Sequence, residues 1–517
     1  MKVIFLNLSV LILTTFSSPS CMQNAGKNTA DKNETTYLAD KIIDTTPISI
    51  SISTTTPYTS FSAVNKHIFG LNIGFAFVKE LDKDSGFVQL LRAMHPDNLR
   101  FPGGTVGNYY HPDAPAYGFK FLEIYPALYS LYNQQSKRNE NILQNYLRLT
   151  RDVNANGIFC ANVLTGSPEE VLQVIDVLKK NKVNLLGVEL GNEFSGEEYR
   201  KKFPDAKTYI NAIQATANAI KLKYPDLKLA VIGSIPVAKT DQSQRAKFMR
   251  AWDNELKQVN FYDAVVVHEY TACPPCTKES KTVEESFTKN MAIIGPIKLN
   301  KIELYKQYYQ ATYTSAKKIW MTEWNIADPN FEGTFLQGIF VYEMFLNLLD
   351  MNVRDNIPYE ITNAHSIVGF VNDWPSKNTP LEKIGNNRTT IEYYAFKYLS
   401  TTLQPESVRL GDNFEKNPQE GIIVKSFYDK SSKRTLVYFL NSSGKPATIN
   451  LTDKNIKNAS YTVLETTKLY AAISKTYFEA KHPEMNNIPV TEKRDIKVEN
   501  NQIKLAPYAF GYVAYIK

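Results

Sequence analysis

Short apolar runs alternate with amphipathic segments of helical period eight times along most of this 517-residue chain. An apolar run bounded by polar residues is typical of a strand covered on both faces, and strands that alternate with helices pair in parallel. The predicted strands are residues 68–75, 98–105, 157–163, 185–193, 228–233, 263–270, 318–325 and 361–370. Eight strand–helix units in order predict a (β/α)8 TIM barrel, which we place at residues 57–402.

The predicted helices occupy the intervals between these strands. They cover residues 87–94, 141–155, 206–223, 248–259, 303–318, 335–351 and 390–402. One further helix follows the third strand, where Ser167 is the predicted N-cap, Pro168 takes the first helical position and Glu170 completes a capping box.

The C-terminal segment has a different pattern. Residues 403–517 contain short β-rich runs separated by Asn, Gly, Ser and Lys turns, which predicts an antiparallel β-sandwich. Near the other end of the chain, residues 48–53 alternate strictly between Ile and Ser, as a strand with one solvated face does. Because this strand has no partner nearby in sequence, we expect residues 47–56 to complete the sandwich.

The N-terminus has the pattern of an export signal. One lysine precedes an apolar run over residues 3–16, and small residues then lead to Cys21. Cys21 resembles the acceptor cysteine of bacterial lipoproteins, although Ser18 stands where leucine is usual. We therefore expect residues 1–21 to be a signal peptide and residues 22–46 a flexible leader. The protein is then either a lipoprotein, anchored to the outer membrane at the cell surface or in the periplasm, or secreted.

Composition excludes some classes of partner and cofactor. The net charge is +7, but the lysines are scattered and form no basic stripe, so we expect no nucleic-acid partner. Cys160 lies in an apolar run and is predicted to be a buried thiol. Cys273 and Cys276 could form a local disulfide, and a redox role is a weaker alternative. A zinc site would need four ligands, and the chain has no second cysteine pair to supply them. We expect neither a metal nor an organic cofactor.

Two of the predicted strands end in a carboxylate. The fourth closes on residues 191–193 (GNE) and the seventh on residues 322–325 (TEWN), which places Glu193 and Glu323 where α/β barrels carry their chemistry. Two carboxylates that face each other across a sugar are the working groups of a glycosidase, one protonated and the other ionised. The alternative is that each is an ordinary strand-end residue.

Other polar residues stand at or near strand ends and are candidates for the same site. Arg100 precedes a Pro-Gly-Gly turn and is expected to hold one glutamate ionised. Alternation along the sixth strand directs His268 and Tyr270 to one side and Glu269 to the other. Glu189 is expected to lie deeper in the barrel, paired with a base. The remaining candidates for lining the substrate site are Asn72, Asn162, Asn192, Trp324 and His365.

Four motifs resemble those of clan A of the glycoside hydrolases. They are residues 99–104 (LRFPGG), 162–170 (NVLTGSPEE), 191–193 and 322–325, which look most like the family 51 α-L-arabinofuranosidases and more weakly like families 39 and 79. The resemblance implies a retaining double displacement with Glu193 as acid/base and Glu323 as nucleophile. It also implies that Asn192 binds the sugar hydroxyl beside the reacting carbon. Residues 105–112 (TVGNYYHP) depart from the family 51 pattern, which leaves the sugar open.

The expected partner is a carbohydrate, and three functions remain open. The first is an arabinofuranosidase-like retaining hydrolase. The second is another hydrolase of the clan, either an endo-acting glycanase or a β-glucuronidase-like or xylosidase-like enzyme. The third is a surface lipoprotein that binds glycans without cleaving them, which a separation of Glu193 and Glu323 beyond about 8 Å would favour.

Overall fold

The computed structural model describes residues 46–517 except 58–63, 75, 78–79, 116, 139, 238–239, 272–281, 290, 292–316, 327–330, 355–356, 373–380, 417 and 474–487. Two strands, β1 (Ile48–Ile52) and β2 (Thr54–Pro57), precede a closed parallel barrel. The barrel strands are β3 (Gly70–Asn72), β4 (Asn98–Phe101), β5 (Asn156–Cys160), β6 (Leu185–Glu189), β7 (Lys228–Ile232), β8 (Ala264–Thr271), β9 (Lys318–Ile326) and β10 (Tyr359–Ala364). They pair in chain order, and β10 pairs with β3. The predicted (β/α)8 barrel is confirmed.

The fourth barrel strand is shorter than predicted. β6 ends at Glu189, and Glu193 lies on the loop that follows. Gly191 adopts a φ of 107° and Glu193 a φ of 55°, both in the left-handed region, so the chain turns away from the strand direction before it reaches Glu193. In contrast, β9 continues to Ile326, so Glu323 lies within a strand.

Helices cover the outside of the barrel. They are α1 (Ser85–Met94), α2 (Tyr129–Gln135), α3 (Ile142–Val153), α4 (Pro168–Lys180), α5 (Ala206–Lys223), α6 (Gln244–Leu256), α7 (Phe335–Arg354), α8 (Ile367–Phe370) and α9 (Ile391–Ser400). α4 begins with the predicted capping box of Ser167 and Glu170. The predicted helix over 303–318 falls almost entirely outside the described residues. None of the helices described has the length and apolarity needed to cross a membrane.

The rest of the chain forms sheets. β11 (Val371–Asn372), β12 (Lys383–Ile384) and β13 (Asn387–Thr389) make a small antiparallel sheet next to the barrel. The sandwich strands are β14 (Val408–Asp412), β15 (Ile422–Asp429), β16 (Arg434–Asn441), β17 (Ala447–Leu451), β18 (Lys457–Thr466), β19 (Thr491–Lys497), β20 (Gln502–Leu505) and β21 (Tyr508–Ile516). One sheet has the order β19-β18-β21-β16-β15-β14-β2 and the other β1-β17-β20.

The N-terminal strand completes the sandwich, as expected. Ile50 and Ile52 of β1 pack in the apolar core between the two sheets with Val437, Phe439 and Ile449. The pairing of β1 with β17 is parallel, however, so the sandwich is not purely antiparallel. β2 adds a further strand at the edge of the larger sheet, next to β14.

The larger sheet also packs against the barrel helices. Phe510 of β21 stacks on Tyr342 of α7 with ring centroids 4.9 Å apart. Arg409 of β14 is fully buried, and its Nε donates to Asp350 of α7 over 3.1 Å while an Nη donates to the Ser426 carbonyl over 3.0 Å. The sandwich is therefore tied to the helix that follows β9, the strand that carries Glu323.

Replacing Arg409 tests this buried ion pair. Arg409→Leu removes the guanidinium that pairs with Asp350, Asp412 and Glu415, although Asp350 keeps the ammonium of Lys425. Because the Asp412 carboxylate is fully buried and loses its guanidinium partner, we expect the free energy of unfolding to fall by about 3–5 kcal/mol, measured by urea denaturation. Arg434 is exposed on β16, and Arg434→Leu serves as the matched control, with an expected change within about 0.5 kcal/mol. Equal unfolding midpoints for the two variants would show that the ion pair contributes nothing.

Candidate active site

Glu193 and Glu323 lie close together at the C-terminal end of the barrel. One carboxylate oxygen of each residue and one ring nitrogen of His268 all lie within 4.8 Å of one another. Glu323 is buried and Glu193 is partly exposed. An approach this close is compatible with the short separation of a retaining pair of carboxyl groups, about 5–5.5 Å. The two predicted carboxylates therefore share one site.

The surroundings of Glu323 favour its ionised form. Arg100 Nη1 donates to Glu323 Oε1 over 2.6 Å, and the Tyr270 hydroxyl donates to Oε2 over 2.7 Å. Burial alone would raise the pKa of Glu323, but the positive charges of His268 and Arg100, with the Tyr270 hydrogen bond, outweigh it and lower the pKa to about 2. Glu323 is therefore an ionised carboxylate at neutral pH.

Arg100 binds three side chains from within the barrel. Its Nε and Nη2 donate to Glu189 Oε2 over 2.9 and 2.7 Å, and Nη2 also donates to Asn192 Oδ1 over 2.9 Å. Arg100 and Glu189 are both fully buried. Glu189 thus pairs with a base inside the barrel, which leaves one guanidinium nitrogen, Nη1, for Glu323.

His268 connects the two carboxylates. Its Nδ1 lies 2.9 Å from Glu193 Oε1 and 3.9 Å from Glu323 Oε2, and its Nε2 lies 3.3 Å from Thr322 Oγ1. Burial lowers the pKa of His268, but the negative charges of Glu323 and Glu193 outweigh that effect and raise it above its ordinary value. Both carboxylates therefore stabilise the protonated form of His268.

Asn192 is held by a residue that the sequence analysis missed. The backbone N–H of Asn192 donates to Asn108 Oδ1, and Asn108 Nδ2 donates back to the Asn192 carbonyl, both over 2.9 Å. Asn192 Oδ1 accepts from Arg100, but its buried Nδ2 has no hydrogen-bond partner in the described part of the chain. That amide is a donor available to a substrate hydroxyl. Nothing in residues 105–112 distinguished Asn108 from its neighbours, because its role depends on a contact 84 residues along the chain.

Asn72 lies at the end of β3, next to Arg100 in register. Its Oδ1 accepts from the Gly74 N–H over 3.1 Å, and its buried Nδ2 is without a partner among the residues described. Gly103 has a φ of 78°, and a Cβ there would lie 2.2 Å from Asn72 Oδ1. The glycine therefore allows the turn after β4 to pass directly over Asn72.

The prediction that Trp324 lines the substrate site is wrong. Its ring is fully buried, 4.8 Å from Phe345 and 6.4 Å from Phe340 between centroids, and both phenylalanines belong to α7. Successive side chains along a strand point to opposite faces of the sheet. Because Glu323 faces the barrel interior, its neighbour Trp324 faces the surrounding helices. Asn162 is also occupied elsewhere, since its Oδ1 accepts from the N–H groups of Leu164 and Thr165 within its own loop.

His365, the remaining candidate for lining the site, follows β10. Its ring lies edge-on to Tyr270 with centroids 6.0 Å apart. Burial lowers the pKa of His365 despite the nearby charge of Glu323. His365 therefore neighbours the tyrosine that binds Glu323.

Cys160 is the one cysteine among the described residues. Cys160 is a buried thiol whose Sγ lies 3.3 Å from the Gly191 carbonyl, and burial raises its pKa. Cys273 and Cys276 lie outside the described residues.

The oxygen and nitrogen atoms of Glu193, His268 and Glu323 are close enough together to ligate a cation. However, both Glu323 oxygens already accept hydrogen bonds, one of them from the positively charged Arg100.

Comparisons with known proteins support the fold. No protein-family model matches the chain, and no match was found among curated protein sequences. Solved structures do match. The GH51 α-L-arabinofuranosidase from Thermotoga petrophila RKU-1 is 16% identical with a TM-score of 0.61, covering 90% of this chain and 99% of that one. The family 51 enzyme from Bifidobacterium longum is 14% identical with a TM-score of 0.62 and the same coverages.

A structure from another family is also similar. The family 44 xyloglucanase from Paenibacillus polymyxa is 12% identical with a TM-score of 0.54, covering 91% of this chain and all of that one. At these identities the likeness concerns the fold alone. The chain therefore has the barrel-and-sandwich fold of these glycoside hydrolases.

The low pKa of Glu323 predicts a contribution to acid stability. The carboxylate pKa falls from 4.5 to about 2 on folding, so the unfolded state binds the proton first as the pH drops. The stabilisation is complete above pH 4.5 and is lost as the pH falls toward about 2. We expect Glu323→Gln to show a smaller loss of unfolding free energy than the wild type between about pH 5 and pH 3. Glu197→Gln, which changes an exposed carboxylate, should follow the wild type. Identical pH dependence in all three proteins would contradict this prediction.

A second variant tests the position of Trp324. Because the ring packs against α7, we expect Trp324→Phe to lower the free energy of unfolding by about 1–3 kcal/mol through lost packing. The KM for any substrate of this site should change by less than about twofold, since no substrate contact is removed. A large rise in KM with unchanged stability would return Trp324 to the substrate site.

Proposed function

We propose that this protein is a retaining glycoside hydrolase that cleaves an oligosaccharide or polysaccharide by double displacement. The observation that carries the proposal is the pair of carboxylates within 4.8 Å, one of them held ionised by Arg100 and Tyr270. In this proposal Glu323 is the nucleophile and Glu193 the general acid/base. The glycoside hydrolase fold of the chain supports it.

In the first step Glu323 attacks the anomeric carbon while Glu193 gives its proton to the departing oxygen. The glycosidic C–O bond breaks as a glycosyl–carboxylate bond forms, and the leaving sugar departs as an alcohol. In the second step Glu193 accepts a proton from water, which displaces Glu323 and restores the carboxylate. The two inversions together retain the anomeric configuration.

The neighbouring residues then have defined roles. Arg100 and Tyr270 bind opposite oxygens of Glu323 and so orient it and keep it ionised. The Asn192 amide, without a partner in the described protein, donates to the hydroxyl beside the reacting carbon, a contact that tightens in the transition state. His268 contacts Glu193 throughout, and ester formation removes the nearby charge of Glu323 that raises the His268 pKa.

The leading substrate assignment is an arabinofuranoside, and the two family 51 enzymes named above are described as α-L-arabinofuranosidases. The similar xyloglucanase keeps an endo-acting glycanase as the second candidate. A non-catalytic glycan-binding protein is disfavoured, because its barrel would not need an ionised carboxylate beside a second one. We also propose export through the signal of residues 1–21, with Cys21 as a lipid attachment site.

The variants Glu323→Gln and Glu193→Ala test the mechanism. We expect Glu323→Gln to lose turnover by about three orders of magnitude or more, because the nucleophile is removed while the side-chain shape is kept. Glu193→Ala should keep activity on aryl glycosides with acidic leaving groups, which need no protonation. Added azide should increase its turnover and give a glycosyl azide as product, because azide attacks the glycosyl–enzyme intermediate without a general base. Product configuration is measured by proton NMR.

Glu197→Ala provides the matched control, because Glu197 is an exposed carboxylate on the same loop as Glu193. It should act as the wild type does, and circular dichroism should show that all variants fold. A product with inverted anomeric configuration, or full activity in Glu323→Gln, would contradict the proposed mechanism.

A further inference from the structure

Exposed apolar side chains are concentrated in one short segment. Of the seven large apolar residues that are exposed in the described chain, Phe121, Leu122, Tyr125 and Tyr129 lie within nine consecutive positions. Leu122 is 93% exposed and Phe121 50%. We call these four residues the rim patch. Contiguous exposed apolar surface of this kind marks a site of interaction, whereas scattered single residues do not.

Buried residues and polar contacts anchor the segment that carries the rim patch. Ile124 and Leu128 lie beneath it in the core. Glu123 directly follows Leu122, and its Oε2 lies 2.8 Å from Nε2 of the fully buried His111. His111 Nδ1 in turn lies 3.1 Å from both oxygens of Glu170 at the start of α4. The apolar groups are therefore held out in solvent by a buried anchor.

Two aromatic members of the patch, Phe121 and Tyr129, lie next to each other, and Phe121 also lies next to the partly buried Tyr132. The Phe121 ring lies 5.5 Å from that of Tyr129 and 5.2 Å from that of Tyr132, at interplanar angles of 35° and 48°. Exposed ring faces can stack on the C–H faces of sugar rings, while tyrosine hydroxyls offer hydrogen bonds to sugar hydroxyls. The mixture of apolar faces and hydroxyls suits a carbohydrate better than a purely apolar partner.

The patch belongs to the connection that leaves the C-terminal end of β4. This connection begins with the short helical turn Gly104–Tyr109, which carries Asn108. Asn108 Nδ2 also donates to the Tyr199 hydroxyl over 2.9 Å. The segment that presents the patch is thus continuous with the segment that positions Asn192.

Electrostatics indicate which side of the site the patch adjoins. Burial raises the pKa of Tyr109, and the nearby Tyr125 and Glu198 raise it further. For Tyr199 the nearby groups are Tyr109, Glu193 and Glu198. Tyr109 therefore lies near both Tyr125 of the rim patch and Tyr199, and Tyr199 lies near Glu193, the proposed acid/base, which contacts the leaving-group oxygen.

We propose that the rim patch binds sugar units of a polysaccharide on the leaving-group side of the cleaved bond, so that the substrate is a polymer. This inference rests on the proposed glycosidase function and adds the substrate class to it. An aryl glycoside lacks the further sugar units that the patch would bind. The patch thus contributes to KM for the polymer and not to the chemistry at the anomeric carbon.

The test compares a double variant, Phe121→Ala with Leu122→Asn, with the control Leu222→Asn. Leu222 is 89% exposed near the end of α5, at the opposite end of the barrel, so it matches Leu122 in exposure but not in position. The substrates are arabinoxylan, xyloglucan and mixed-linkage β-glucan, together with the aryl glycoside that the wild type hydrolyses best. We expect kcat/KM on the polymer to fall by about tenfold through KM in the double variant. Activity on the aryl glycoside should stay within about twofold, and the control should be unchanged on both substrates.

Retention in gels containing each polysaccharide separates this inference from the proposed function. If the wild type hydrolyses nothing, the proposed function fails, and weaker retention of the double variant still supports the patch as a glycan site. Equal retention and equal polymer kinetics in wild type and double variant would overturn it, as would no retention and no hydrolysis of any polysaccharide by the wild type. The inference would also be overturned if the double variant lost self-association or binding to phospholipid vesicles while it still bound the polymer. That result would assign the patch to contact with a second copy of the chain or with a membrane.

Discussion

A single buried guanidinium organises the candidate site. Arg100 extends from β4 to contact Glu189 on β6, Asn192 beyond β6 and Glu323 on β9, so one side chain connects three separate segments of the barrel. Burying a charge without partners is costly, whereas paired and hydrogen-bonded charges are tolerated. The geometry of the site therefore depends on the ion pairs that allow Arg100 to be buried, and those pairs in turn position Glu323.

The two candidate glutamates differ in environment, because Arg100 and Tyr270 donate hydrogen bonds to Glu323 whereas Glu193 contacts His268. Glu323 lies within a strand, is buried and has a pKa of about 2. Glu193 lies on a loop in a left-handed conformation, is partly exposed and contacts His268. A carboxylate fixed in its ionised state suits a nucleophile, and one with access to solvent suits proton exchange. The fold thus provides two different environments within 4.8 Å.

Several sequence expectations failed for identifiable physical reasons. Trp324 was assigned to the substrate site because it adjoins Glu323, but strand alternation directs neighbours to opposite faces. The fourth strand was extended to Glu193 because its apolar pattern continues, although Gly191 turns the chain before that point. β1 was expected in an antiparallel sheet, yet it pairs in parallel with β17, since alternation reports which face is buried and not the direction of the partner.

The sequence by itself determined the order of strands and helices, the barrel, the sandwich and the two candidate carboxylates. Each of these follows from local periodicity or from a residue type at a strand end, which are properties of neighbouring residues. Only the tertiary structure decided that Arg100 binds both Glu189 and Glu323, that Asn108 holds Asn192 and that Phe121 and Leu122 stand in solvent. Those features depend on contacts between segments far apart in the chain. Closure of the eight-stranded barrel brings such segments together, and no local sequence pattern reports it.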